Sequence, residues 1–242
     1  SNFPTFELTI PEGALEFLDA DPTAEEYVEG SLTYNGETIS PIGIRYKGSV
    51  GAFFGSVSGE NWTNPSGHKT ATKLSMKLKI DWRGYNSTFY GLKRVQLHSM
   101  NLDPSQMHDR LGYWLFREMN VPTARAIHAK LYINGTYYGV FSMVENIDEQ
   151  FAAYNYSNGT GNLFKEVWPL KSGGAAQSEA RLLDALVTNR EAGASAQTMH
   201  TFGNDVAAST DSDLASTVES WMDMDEIVAY TVVDRMIKND DG

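Results

Sequence analysis

The chain opens with an alternating run, Phe6-Glu7-Leu8-Thr9-Ile10, in which every second residue is apolar. Strand side chains point to opposite faces with a period of two, so this run predicts a half-buried strand. Val28 to Tyr34 predicts a second strand, and Asn35-Gly36 behind it the tight turn of a hairpin. The next strand is predicted over Ile42 to Gly48. From Ser49 to Thr72, Gly, Ser and Asn leave few periodic apolar positions, which predicts a long loop. Loops of that length in a compact domain are usually functional or mobile.

Lys73 to Ile80 alternates strictly, with Leu74, Met76, Leu78 and Ile80 on one face and Lys73, Ser75, Lys77 and Lys79 on the other. The strand therefore carries a row of cations. A further strand is predicted over Gly91 to Leu97. Asp103-Pro104 then reads as an N-cap acid with proline at the first helical position, opening a helix to about Met119 with Met107, Leu111, Trp114, Leu115 and Glu118 at helical spacing. Ala129–Ile133, the turn Asn134-Gly135, and Tyr137–Val144 form the clearest hairpin. Asp148 to Tyr154 predicts a short helix. Beyond Lys165 the pattern turns helical, with candidates at Glu179–Val187, Leu214–Trp221 and Asp225–Ile237; the Gly- and Ala-rich stretch from Lys171 to Gln177 reads as a linker or a place where residues are missing. No internal repeat is visible.

Composition narrows the function classes. With 242 residues, 41% of them hydrophobic and 12% aromatic, the chain can bury a large core or two small ones. A formal charge of −12 argues against general affinity for nucleic acid or anionic membranes. No run is long enough to span a bilayer, and Ser1-Asn2-Phe3-Pro4 has neither the basic nor the apolar part of a signal, so a signal or anchor is expected to have been removed if there was one. The absence of cysteine excludes disulfides, thiolate zinc sites and a cysteine nucleophile. Five glycosylation acceptors, at Asn61, Asn86, Asn134, Asn155 and Asn158, point weakly to export. The five histidines show no H-E-x-x-H spacing, and G-x-S-x-G, G-x-G-x-x-G and Walker A motifs are absent.

What remains is a lysine-bearing strand, an acid-bearing helix, a hairpin running into an acidic turn, and a terminal acidic run. Phosphoryl transfer relies on positioning and charge neutralisation, and it needs a lysine on the phosphates, an acid that holds it, an acid near the nucleophile and acids for Mg²⁺. Read without other help, the lysine row is equally a solvated strand face, Asp109 a surface acid beside Arg110, and Asp148 a helix cap. Asn239-Asp240-Asp241-Gly242 reads as a turn, with a Ca²⁺-binding loop as the alternative.

The stretches Gly43–Gly48, Lys73–Lys79, Gly91-Leu92-Lys93, Asp103-Pro104-Ser105, Tyr113–Pro122, Leu131–Gly135, Tyr138-Gly139, Val144–Glu149 and Gly161–Lys165 together resemble the spore-coat CotH family. The resemblance runs from about Ile42 to Lys165 and resumes near Asp234. It implies an α+β, atypical protein-kinase-like two-lobe fold, with a sheet-rich N-terminal lobe over 1–151 and a partial helical C-terminal lobe over 152–242. It implies ATP and Mg²⁺ as ligands, with Lys73 or Lys77 on the phosphates and Asp109 as the acid pairing that lysine. Arg45 and Lys47 precede a phosphate-covering loop, and Glu145, Asn146 and Asp148 lie at a nucleotide hinge. Asp241 is the implied catalytic acid, with Asp240 its neighbour. A further Asn and a metal-binding Asp are implied beyond Gly242, so the Mg²⁺ site is expected to be incomplete here. The implied substrate is Ser or Thr of a secreted, surface or spore-coat protein. The rival expectation from the same family is a non-catalytic surface or adhesive module, for which Trp62, Trp82 and Tyr85 would supply contact area; a Ca²⁺-stabilised extracellular domain is the third.

Overall fold

The computed structural model describes residues 3–59 and 61–239. Two compact units emerge, Ser1–Trp114 with Ala124–Asn146, and Leu115–Thr123 with Ile147–Gly242.

The first unit is built on strands β1 (Thr5–Thr9), β2 (Val28–Tyr34), β3 (Glu37–Tyr46), β4 (Met76–Lys79), β5 (Arg94–His98), β6 (Ala126–Ile133) and β7 (Thr136–Glu145). They form a closed barrel in the order β1-β2-β3-β4-β5-β7-β6. Neighbours run antiparallel except at the seam, where β1 lies parallel to β6 with Thr5 opposite Lys130 and Leu8 opposite Ile133. This overturns the expected two-lobe protein-kinase-like fold with its sheet-rich N-terminal lobe. Alternation tells each strand which face to bury, but it says nothing about a partner more than a hundred residues away, and that partner closes the sheet.

The barrel is filled by the inward positions. Leu8, Ile42, Ile44, Leu78, Ile80, Val95 and Leu131 have no exposed surface. Both hairpin turns need left-handed backbone at two successive residues, and both have it: φ is 50° at Asn35 and 81° at Gly36, 50° at Asn134 and 77° at Gly135. Strand β3 starts earlier than expected because Pro41, which cannot donate to a ladder, lies where the register shifts between Gly30 and Leu32 of β2. A bulge absorbs such a residue without ending the strand.

Helix α1 (Glu12–Ala20) was not anticipated from the sequence. It has no side-chain cap at its start, so the usual signal is missing. The expected loop carries α2 (Val50–Phe53) and sends Phe53 and Val57 into the barrel core. Helix α3 (His108–Glu118) begins five residues after Asp103 (108 against 103), because Asp103 caps it from a preceding turn, its Oδ2 accepting from the His108 amide at 2.7 Å. Its buried positions are Gly112 and Phe116, while Leu111 and Trp114 of the expected face are half exposed.

The second unit holds α4 (Glu149–Asn155), α5 (Glu179–Asp184), α6 (Gln197–Ala208), α7 (Leu214–Trp221) and α8 (Met224–Met236). Helix α4 is capped by Asp148 as expected, and α7 falls where the sequence places it. Helix α6 was missed, since Gly203 and its polar neighbours blur any apolar stripe. Phe116, Val121 and Val233 form a small core, with Leu115, Ala229 and Ile237 against it.

One close approach in the barrel is testable. Trp82 lies flat on Gly43 of β3, where any added Cβ would collide with the ring. The same ring stands 5.4 Å from Tyr27 and 6.0 Å from the Lys79 ammonium. Gly43→Ala should therefore destabilise by about 1–3 kcal/mol, the usual cost of overpacking. In a Trp82→Ala background the same change should cost little, which thermal denaturation of the four proteins would show.

Candidate functional site

Residues directly opposite in an antiparallel ladder share a face, so the register assigns the outer wall of the barrel. Arg45, Lys77 and Gln96 form one rung across β3, β4 and β5, and Gly43, Lys79 and Arg94 the next. Their neighbours Ile44, Leu78 and Val95 point inward and are fully buried. The row of cations read from the alternation is thus real, and β3 and β5 widen it into a patch.

Lys47 extends the patch by one step. Its amide donates to the Ser75 carbonyl at 2.9 Å, which continues the ladder past the end of β3. Its ammonium donates to Gln96 Oε1 at 2.6 Å and reaches His98 Nε2 at 3.1 Å. On the other side of the ring, His98 Nδ1 lies 2.9 Å from Asp109 Oδ2 in the first turn of α3. Burial pushes the Asp109 carboxyl up, but its hydrogen bond to the His98 ring and the electrostatic attraction between them outweigh burial and hold its pKa below the ordinary carboxylate value. The buried Ser142 hydroxyl acts in the same direction to a smaller extent, without completing a hydrogen bond of good geometry.

The other expected site residues are placed as follows. Arg45 lies on the wall with Nη1 2.6 Å from Glu25 Oε1, and its guanidinium covers the Tyr27 ring at 5.2 Å. Lys77 stands beside it on the same rung. Lys73 precedes β4, and its ammonium donates to the Val140 carbonyl at 2.7 Å over the Phe141 ring. Burial lowers its pKa. Glu145 ends β7 with its carboxylate buried and gripped by Arg125, Nε to Oε2 at 3.0 Å and Nη2 to Oε1 at 2.8 Å. Asn146 follows it as the last residue of the first unit, and Asp148 belongs to the second, where Oδ1 accepts from the Gln150 amide at 3.1 Å. Asp240 and Asp241 lie outside the described residues. Just ahead of them, Asp234 is buried, and its Oδ1 accepts from Asn239 Nδ2 at 2.9 Å while its carbonyl accepts from the Asn239 amide at 3.0 Å.

The structure thus brings Arg45, Lys47 and Lys77 to one wall, sets Asp109 of α3 against it through His98, and adds two residues that the sequence reading does not name, Gln96 and His98. Gln96 and His98 continue the Arg94 alternation on the polar face of β5, and that period was the available signal. Among the described residues no group of three His, Asp or Glu could hold a metal ion.

A barrel with a cationic outer wall and an acid-bearing helix tied to one of its lysines is suited to hold an anion beside a fixed positive charge. The model of the CotH kinase protein family matches residues 44–242, and the chain belongs to that family. No curated protein matched the chain.

Proposed function

We propose that the chain is an ATP-dependent protein kinase that transfers the γ-phosphoryl group to a Ser or Thr hydroxyl of a coat or surface protein. Membership of a kinase family over residues 44–242 carries this reading. The wall bearing Arg45, Lys47 and Lys77 gives the triphosphate an electrostatic partner, and Asp241 is the proposed base. In the step itself the acceptor oxygen bonds to the γ-phosphorus, the bond from that phosphorus to the bridging oxygen breaks, ADP leaves, and the hydroxyl proton passes to Asp241. The described residues offer no set of acids for Mg²⁺. Fixed cations offset part of the charge on a transferring phosphoryl group, and that is the role proposed for the wall. The acidic chain is not suited to nucleic acid, and among the described residues no helix is long and apolar enough to cross a membrane. An acceptor in a coat or at a surface fits both.

A thermal-shift titration with ATP and Mg²⁺ tests the reading, because a ligand of the native state raises its stability by about 2.7 kcal/mol at a hundredfold excess over Kd. For a chain of this size that is a rise of roughly 5–10 °C. Lys77→Ala should reduce the rise. Asp241→Ala should leave it in place while abolishing phosphate transfer to a Ser/Thr protein. A rise with Ca²⁺ alone and none with ATP would instead favour a structural ion and a non-catalytic module.

A further inference from the structure

We propose that the mouth of the barrel, where β2 turns into β3, is a binding site for a small quaternary ammonium compound, with Tyr34, Phe89 and Tyr90 around the cation and Glu37 balancing its charge. The site belongs to the inner face of the sheet, whereas the cationic wall is on the outer one. In the ladder Tyr34 stands opposite Phe6 of β1 and Glu37 of β3, and Leu32 opposite Leu8 and Ile39. Residues paired in this way share a face. Tyr34 and Glu37 therefore take the last places on the face that Leu8 and Leu32 bury in the core. A cavity of about 400 Å³ opens there, with Leu32 and Ile39 on the side of the core.

Three rings line this cavity and meet at near right angles: Tyr34 and Phe89 at 80°, Tyr34 and Tyr90 at 79°, Phe89 and Tyr90 at 86°, with centroids 5.6, 6.1 and 4.9 Å apart. A flat sugar stacks on one ring, but a compact cation can rest in a corner made by several, drawn by the negative faces of the rings. Among the described residues that line the cavity, Glu37 is the one that carries charge. An anion finds no partner here, while an alkylated ammonium finds rings and a carboxylate. The turn above the cavity points the same way. Phe89 and Leu92 exchange two backbone hydrogen bonds of 2.9 Å around Tyr90 and Gly91, whose φ values are 49° and 82°. This matches the turns at Asn35-Gly36 and Asn134-Gly135, where asparagine takes the first left-handed place. A tyrosine suits that place poorly, and Tyr90 is 78% exposed, so the fold gains little by burying its ring. Backbone strain kept at the rim of a cavity is accounted for by a ligand that uses the ring. The hairpin tip beside it, Asn35-Gly36-Glu37, is polar and offers nothing to a bilayer, which assigns the cation to a free solute rather than a lipid head group.

Calorimetry of the whole chain with choline, and with its uncharged isostere in which carbon replaces nitrogen, tests the site. Choline should bind roughly 5- to 30-fold more tightly than the isostere, the worth of a desolvated cation against ring faces. Glu37→Gln should weaken choline and leave the isostere unchanged. Tyr90→Asn should weaken choline about tenfold while the melting temperature holds or rises, because asparagine is at ease in this turn. A ring that only props the turn would lower the melting temperature when removed and leave binding alone. Equal affinities for choline and the isostere would overturn the cation. No binding of millimolar choline to the wild type, or wild-type affinity in Tyr90→Asn, would overturn the site. Sedimentation of the chain with phosphatidylcholine vesicles, competed away by choline, would overturn the free solute in favour of a lipid head group. None of these readouts involves Mg²⁺-ATP, so the kinase reading stands or falls separately.

Discussion

Arg125→Ala is expected to destabilise the protein by about 3–5 kcal/mol, the usual result of removing one partner from a buried ion pair. The asymmetry of the pair sets the size of the effect. The Glu145 side chain is 2% exposed and that of Arg125 47%. Without the guanidinium, the carboxylate stays in the interior with only the residue 125 amide, at 3.2 Å, from the present set of Arg125 donors. Loss of the exposed partner is therefore the worse loss. Glu145→Gln should cost less, because an amide tolerates burial better than a charge and Arg125 can turn to water. The double variant Arg125→Ala/Glu145→Leu should recover much of the stability of Arg125→Ala. Urea denaturation of the wild type, Arg125→Ala, Glu145→Leu and the double variant gives the coupling, and additive losses would remove this account.

The same pair shows where sequence reading stopped short. Glu145 follows a hairpin that resembles a nucleotide hinge, yet its carboxylate is already engaged by Arg125, which stands just ahead of the neighbouring strand. Arg125 lies between the expected helix and the expected hairpin, in a stretch with no pattern of its own, and only the β6–β7 register explains why its side chain meets Glu145. Local period was a reliable guide wherever one face had to be dry. Leu74, Met76, Leu78 and Ile80 are all buried, and Lys73, Ser75, Lys77 and Lys79 are all partly exposed, as the alternation requires. The period failed where capping chemistry was displaced from the helix it serves, as at Asp103, or where a helix has neither cap nor stripe, as with α6.

Site residues were legible as types and less so as partners. A row of cations and a first-turn acid could be read from spacing, but the ring between Lys47 and Asp109 could not. Its existence depends on β5 lying between β4 and β7, an order fixed by pairing across the chain. Family resemblance located the catalytic candidates Asp240 and Asp241 without any local signal. Asn239, which precedes them in the sequence, is bound to the buried Asp234 in the last turn of α8.

The closure of the barrel yields the other large effect. Leu8→Ala should cost about 2–5 kcal/mol, the range for truncating a fully buried leucine. Its cost should be high within that range, because β1 is the strand that both starts and seals the sheet. Leu8 stands opposite Leu32 of β2 and Ile133 of β6, so the cavity opens toward both neighbours. The seam is also held by the hairpin turn: the Asn134 amide donates to the Leu8 carbonyl at 2.9 Å, the Ile10 amide donates to Asn134 Oδ1 at 2.9 Å, and Asn134 Nδ2 donates to the Ile10 carbonyl at 2.8 Å. Loosening β1 should therefore speed amide exchange in β2 and in β6 alike. In an open sheet with β1 at one edge, only β2 would respond. Retained protection along Lys130–Ile133 in Leu8→Ala, together with lost protection along Ser31–Tyr34, would show that the sheet is not closed at this seam.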